Sequence, residues 1–404
     1  MRITIQNART LILSGQRLLA KEHNNVVQVV SDLSGIQYDP CPILHLHHYL
    51  ALWNRIPGFQ VTDYDRIAYD EGALVEANFF KRNLFTVPAR DFELYNAATE
   101  RIVYRGESRA QQKCERSSSA LAAQEEKLKQ AFHEIRSGTE RQLWAHLGLT
   151  EEHSAFKERQ KQEAFSEYPP IFQAFYRMRQ TNDIVVCGRL PGTFRQPVFA
   201  LPEDLWKDRS AAIEVSNEEA VAAVLYKLIC SYGVTDATHL KALTGWSAQD
   251  LSAAMAALKL QEMITDIHVE DLKKTYVAAN KSLALLQQPG TEPREEVALL
   301  SPMEGMMRDQ RWLNAFFSYS FRFEYFKKKG MKWPLAILAN NELAGFVACK
   351  FDRKRKRFIV QEIEIQKEKA VDPAELYRSL CSLAKLHEAA ELLILGAKYP
   401  GYQP

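Results

Sequence analysis

Residues 218–278 carry the pattern that most restricts what this chain can fold into. Glu218–Ser231 places Ala222, Leu225, Leu228 and Ile229 at helical spacing, and Tyr232-Gly233 stops the helix. Thr235 or Asp236 can cap a short helix through Leu243; Thr244-Gly245-Trp246 then turns the chain, and Ser247 caps a helix over Ala248–Leu258. Met263–His268 and Thr275–Ala278 read as two strands joined through Glu270-Asp271 and Lys273-Lys274. Three helices closing on an antiparallel hairpin are the sequence form of a winged helix, built on a helix–turn–helix.

Two weaker copies of the same order precede it, and repetition strengthens each. In the first, Thr4 caps a helix over Ile5–Leu19. Val26–Leu33 follows, ended by Gly35, then an apolar stretch from Ile43 to Trp53 and a further helix at Asp63–Ala68. Gly72–Val75 and Leu84–Val87 read as strands flanking Lys81-Arg82. In the second, Thr139–Leu147 and an aromatic helix opened by Pro169-Pro170 lead into the strands Ile184–Cys187 and Pro197–Ala200, whose turn holds Arg189 and Arg195. A polar helix over Ala120–Arg136 connects the two copies. After Pro289-Gly290 the pattern turns to strands at Phe321–Phe326, Trp333–Leu338, Leu343–Phe351 and Phe358–Ile365, then a helix over Ala374–His387 and a last strand at Leu392–Leu395. The fold class expected is α+β: tandem winged-helix units at 1–105, 106–210 and 211–290, followed by a small barrel-like β domain at 291–404.

At 404 residues the chain is long enough for two to four domains of roughly 100–200 residues each. No run approaches the roughly 18 apolar residues of a membrane span, and Met1–Gln6 lacks the apolar core of a signal peptide, so a cytoplasmic protein is expected. Cys41, Cys114, Cys187, Cys230, Cys349 and Cys381 lie far apart with no C-x-x-C pair. That spacing predicts reduced thiols and neither a structural zinc nor a cysteine-bound cluster.

The net charge of +2 at first argues against a nucleic-acid partner, but the cations are not spread evenly. Residues 321–360 hold eleven Lys and Arg against three acids, a net of +8, which leaves −6 for the other 364 residues. Within that stretch, Lys350, Arg353, Lys354, Arg355, Lys356 and Arg357 surround a predicted hairpin turn, which projects them outward. Such a cluster attracts phosphates through counterion release, largely without regard to base sequence. A solvated turn that discourages edge pairing is the plainer reading. Lys81, Arg82, Arg189 and Arg195 on the other two hairpins favour duplex DNA as the partner.

No Gly-rich phosphate loop, H-E-x-x-H helix or G-x-S-x-G elbow occurs. His45, His47 and His48 flank Leu46 and precede Tyr49, which reads as a helix face used for packing or phosphate contact before metal binding. Gln37-Tyr38-Asp39, between Gly35 and Pro40, is the remaining candidate. In an extended segment Gln37 and Asp39 point the same way, so an amide and a carboxylate share one water. That pair suits hydrolysis through a cationic sugar transition state, which an anion also stabilises. A simple turn at Asp39-Pro40 accounts for the same residues.

Gly35-Ile36-Gln37-Tyr38-Asp39, followed by Leu52-Trp53-Asn54-Arg55 and Gly58-Phe59, resembles the AlkZ-like winged-helix DNA glycosylases, which include the YcaQ group. Leu84–Pro88 leading into a helix at Asp91, Tyr232–Leu240, and Leu299-Leu300-Ser301-Pro302 with Phe321–Tyr325 extend the resemblance over nearly the whole chain; 107–166 matches poorly. It implies tandem winged helices and a small β-barrel forming a cationic channel for duplex DNA. It also implies removal of purines alkylated on the imidazole ring, with some members unhooking interstrand crosslinks. The family signature is Gln–hydrophobic–Gln, or Gln–hydrophobic–Asp in the YcaQ group, the form found here. By resemblance Asp39 activates water or stabilises the oxocarbenium ion and Gln37 positions the water. The mechanism implied is monofunctional, without a lysine Schiff base, metal or cofactor, and a monomer is expected. One stretch departs from the pattern: members often place an Arg and a His, or a His-Glu pair, near the first wing. Here it reads Phe79-Phe80-Lys81-Arg82-Asn83-Leu84-Phe85, which leaves the substrate range open. A non-catalytic winged-helix regulator is the alternative, with Gln37 and Asp39 only stabilising a turn.

Overall fold

The computed structural model describes residues 1–19, 25–39, 44–99, 118–160, 168–191, 195–206, 215–287, 296–320, 333–395 and 397–398. The expected strand at 321–326 and five of the clustered cations (Arg322, Lys327, Lys328, Lys329 and Lys332) lie outside these residues. The fold is mixed α and β, and the chain gathers into two compact units: Met1–Asp65 with Val221–Pro404, and Arg66–Ala220.

Strand β1 (Arg2–Ile3) leads into the helix Ile5–Gly15, whose first turn is capped by Thr4 Oγ1 accepting from the Asn7 amide (3.0 Å). The helix ends at Gly15, short of the expected Leu19, and Arg17 follows in the left-handed region. Gly15 itself is set by packing: a Cβ there would lie 2.4 Å from the Cys230 carbonyl, so the end of another helix crosses directly over it. The helix Val26–Asp32 is closed by Ser34 and Gly35, both at positive φ, and the chain reverses into β2 (Ile36–Gln37). Gly35, at φ 93°, supplies that reversal at low cost. The helix His47–Trp53 and the short Val61–Asp65 complete this N-terminal part.

In the second unit a π-turn at Arg66–Asp70 precedes β3 (Leu74–Asn78) and β4 (Leu84–Pro88). Helices Phe92–Thr99 and Ser118–Ile135 follow, then β5 (Ser137–Thr139), the helices Glu140–His146, Thr150–Arg159 and Pro170–Thr181, and the hairpin of β6 (Val185–Arg189) and β7 (Pro197–Ala200). Within the unit the strands run β4-β3-β6-β7-β5, so the first two hairpins share one sheet, joined where Glu76 faces Val186. The polar region that resembled nothing well has its own core: Leu128, Phe132, Trp144 and Phe156 pack with Phe172 and Phe175.

The third copy follows the sequence closely. Helices Asn217–Tyr232, Ala237–Thr244 and Ala248–Leu260 precede the antiparallel hairpin β8 (Ile264–Val269) and β9 (Thr275–Ala279). Asp236 and Ser247 cap the second and third helices through the amides of His239 and Asp250. One strand was not expected there: β1 adds to the edge of β8 in parallel, Arg2 facing His268. The C-terminal part is a mixed sheet in the order β10 (Ala298–Leu300), β11 (Trp333–Ala339), β12 (Glu342–Asp352), β13 (Arg357–Ile365), β14 (Glu391–Ile394) and β15 (Ala397–Lys398). The helix Pro373–Leu386 makes the crossover that lets β13 and β14 pair in parallel. Among the described residues this sheet stays open, in place of the barrel expected.

Candidate functional site

The segment that holds Gln37 and Asp39 alternates as an extended strand does. Ile36 and Tyr38 are buried, and Gln37 and Asp39 are half-buried on the opposite side. Tyr38 anchors the inner side: its ring stacks on His48 at 4.9 Å, and His48 in turn lies 4.5 Å from Tyr64. Tyr49 closes the column by donating from its hydroxyl to Asp65 Oδ1 (2.8 Å). Both candidate catalytic residues therefore fall on the more open side of an extended segment, Gln37 in β2 and Asp39 just beyond it, whose inner side is packed through Tyr38.

The predicted basic positions divide by what holds them. Lys81 and Arg82 form the tip of the β3–β4 hairpin, both at φ 54°, a conformation that costs about 1–3 kcal/mol in a residue with a Cβ. Lys81 is exposed, and Arg82 donates to Gln180 Oε1 (3.0 Å). Arg189 is turned inward: its guanidinium meets the buried Glu76 carboxylate (Nη2 to Oε2, 2.6 Å) and donates to the Arg195 carbonyl (2.8 Å). Tyr69 also donates to Glu76 (2.5 Å), and the Arg195 guanidinium lies over the Tyr69 ring at 5.8 Å. The surface role expected of Arg189 is thus replaced by an internal one, in which it holds the hairpin and presents Arg195. Glu76 was the overlooked residue, and the signal was a lone acid within the apolar run Leu74-Val75-Glu76-Ala77.

On the β12–β13 hairpin, Lys350, Arg353, Lys354, Arg355 and Lys356 are exposed, whereas Arg357 pairs with Glu391 (2.7 Å) at the root. Asp352, which sequence counting treated only as an opposing charge, organises the turn: its Oδ1 accepts from the amides of Lys354 and Arg355 (3.1 Å each). Arg353 Nη2 donates to the Leu44 carbonyl (3.1 Å), so the turn reaches the segment that follows the site strand.

The Leu52–Arg55 motif is structural. Trp53 Nε1 donates to Ser382, and Asn54 Nδ2 donates to the carbonyls of Leu50 and Leu299. Arg55 forms a two-pronged pair with Glu304 (3.0 Å at both prongs), buried on both sides. Burial alone would push the Glu304 carboxyl up; the Arg55 guanidinium, helped by Arg308, outweighs it and holds the group below the usual carboxylate range. His47 lies in the same region, and burial pushes it down to about 4. Asn54 and Arg55 therefore lock the helix behind the site to the start of the C-terminal sheet. Among the described residues no group of three or more His, Cys, Asp or Glu could hold a metal ion; His45 faces His387 and Tyr49, and His48 packs against Tyr38 and Tyr64.

Residues 30–393 match the family described as DNA glycosylase AlkZ-like. Among solved structures, the Streptomyces sahachiroi DNA glycosylase AlkZ is similar with a TM-score of 0.68, covering 98% of this chain and 99% of that chain at 13% identity. At that identity the likeness is one of fold. A search of curated proteins finds no match.

Proposed function

The chain belongs to the AlkZ-like DNA glycosylase family, and from that premise we propose that it hydrolyses the N-glycosidic bond of purines alkylated on the imidazole ring in duplex DNA, including crosslinked purines. The observation that carries this reading is the alternation of burial over Ile36–Asp39, which leaves Gln37 and Asp39 on the more open side of a segment held by Tyr38. Ring alkylation leaves the purine cationic, so it departs as a neutral base and needs no strong general acid. As the bond breaks, positive charge develops on the sugar, and the Asp39 carboxylate stabilises it and takes a proton from water. Gln37 holds that water by hydrogen bonding. The reaction is monofunctional, since water is the nucleophile and no lysine attacks the sugar.

Binding comes from backbone phosphates on the winged-helix hairpins and the β12–β13 turn. Lys81, Arg82 and Arg195 serve the first two hairpins, with Lys350, Lys354, Arg355 and Lys356 on the third surface. The regulator reading is less well supported by the third helix–turn–helix. Of the exposed positions of Ala248–Leu260, Ala248, Ser252, Ala253 and Ala256 are small, Leu260 is apolar, and of the long polar ones Gln249 and Lys259, Lys259 pairs with Asp266 (2.8 Å). A base-reading helix presents several long polar side chains to the major groove.

The test uses duplex DNA carrying N7-methylguanine, or a nitrogen-mustard crosslink, incubated with the protein and then treated with alkali. Alkali-dependent breaks that vanish in Asp39→Asn and Gln37→Ala are expected, with no breaks before alkali. Tight binding without cleavage of any alkylated duplex would replace the enzyme with the regulator.

A further inference from the structure

We propose that Arg353 is a positioning residue for the hydrolytic site and not a phosphate contact, holding the chain at Leu44, and with it the Gln37–Asp39 strand, to the basic hairpin; this rests on the glycosylase reading above. By position Arg353 belongs to the same exposed cationic turn as Lys354, Arg355 and Lys356. Its guanidinium differs from theirs in what it meets, because Nη2 donates to the carbonyl of Leu44 at 3.1 Å. Leu44 is buried and lies five residues beyond Asp39. Lys354, Arg355 and Lys356 have no side-chain partner among the described residues, which leaves them available to DNA.

Packing beneath the turn supports the same connection. His45, next in sequence, places its ring 5.0 Å from His387. His387 is fixed by Nδ1 against the Leu383 carbonyl (2.7 Å) and is faced by Phe351 and Phe358 from the two strands of the hairpin, at 5.2 and 5.1 Å. The chain at Leu44 and His45 is therefore tied to the hairpin twice, once through the Arg353 hydrogen bond and once through His387, whose ring packs on the strand pair next to the turn. Before it, Tyr38 is clamped by the His48 stack. In sequence Asp39 lies between Tyr38 and Leu44, and only the anchor at Leu44 is continuous with the cations expected to meet phosphate. Duplex seated on Lys354–Lys356 is thus registered against Asp39 by Arg353.

The experiment compares Arg353→Ala with Arg355→Ala on an alkylated duplex. For a phosphate contact, loss of one cation lowers the slope of log affinity against log salt by about 0.9. Arg355→Ala should show that decrease. Arg353→Ala should leave the slope unchanged and lower the saturating rate about tenfold or more, as expected when reacting groups lose alignment. Arg353→Lys, which keeps the charge and loses the planar fork, should not restore the full rate. A second readout needs no substrate: amide hydrogen exchange across residues 44–50 of the free protein should quicken in Arg353→Ala and stay unchanged in Arg355→Ala. A slope lowered by about 0.9 with the saturating rate intact, or unchanged exchange at 44–50, overturns the proposal. If wild-type protein cleaves no alkylated duplex, the glycosylase reading fails, and the exchange measurement still decides whether Arg353 holds Leu44.

Discussion

His47, His239 and His387 are enclosed in packed interiors, and burial holds their pKa down, to about 4, about 4 and about 3. At pH 7 these rings are neutral in the folded chain and mostly neutral in the unfolded chain. Between the free imidazole value near 6.5 and about 4, the unfolded chain takes up protons that the folded chain refuses, so stability falls as pH falls through that window. Each ring contributes on the order of 3 kcal/mol to this loss once the pH is near 4. Glu304, whose carboxyl is lowered, adds its own loss only below about pH 4.5, where the unfolded group protonates first. Urea midpoints should therefore drop steadily from pH 6.5 to 4.5, and His47→Gln should reduce that dependence by about a third; a flat midpoint over this range would contradict it. At the same scale, Asp39→Asn should slow base release by about 100-fold or more with duplex affinity retained, read from single-turnover kinetics beside a binding titration. That Gln37 and Asp39 share one side of their segment was legible because strand alternation is local. Glu76 and Arg189 were not, since their ion pair joins residues 113 apart in sequence.

The buried Arg55–Glu304 pair fastens the end of the helix His47–Trp53 to the loop before the Gly305–Met307 turn. Removing one partner leaves the other charged and buried, so Arg55→Met should cost about 3–5 kcal/mol in urea unfolding. The double variant Arg55→Met with Glu304→Met should cost less than Arg55→Met alone, and equal or greater loss would refute the buried-pair account. Gly233, at φ 67°, closes the helix Asn217–Tyr232, and a Cβ there would meet the Leu11 carbonyl at 2.2 Å. Gly233→Ala must therefore separate two helices and should destabilise the fold, as a lower thermal midpoint would record. On the basic hairpin, Lys354→Ala combined with Arg355→Ala should lower the salt slope by about 1.8 without changing the thermal midpoint. An unchanged slope would remove the turn from the DNA interface.

Across the whole molecule, what the sequence revealed follows the range of the interactions. The third unit was read to within about two residues at each boundary, because caps, turn residues and apolar spacing all act within a few positions: the expected helix at 248–258 runs to Leu260, and the expected strand at 263–268 is Ile264–Val269. The parallel addition of Arg2–Ile3 to the strand at Ile264–Val269, and the joining of two hairpins through Glu76 and Val186, depend on residues far apart and left no local mark. Ser137–Thr139 was missed for a different reason, as Ser-Gly-Thr has no strand pattern of its own and is extended only by pairing with Pro197–Ala200. Among the described residues the C-terminal sheet is open for the same reason: four of its strands were read from local pattern, Ala298–Leu300 and Ala397–Lys398 were not, and closure is a global property. The division of charge, +8 against −6, was legible from the sequence and is compatible with a DNA partner at a net charge of only +2. The most direct measurement of the central claim is free purine released from a duplex with one N7-methylguanine, counted against alkali-labile sites in the same sample. One free base per abasic site is expected for the wild-type protein and almost none for Asp39→Asn at equal occupancy. Equal release by the two proteins, or bound duplex with no base released, would contradict it.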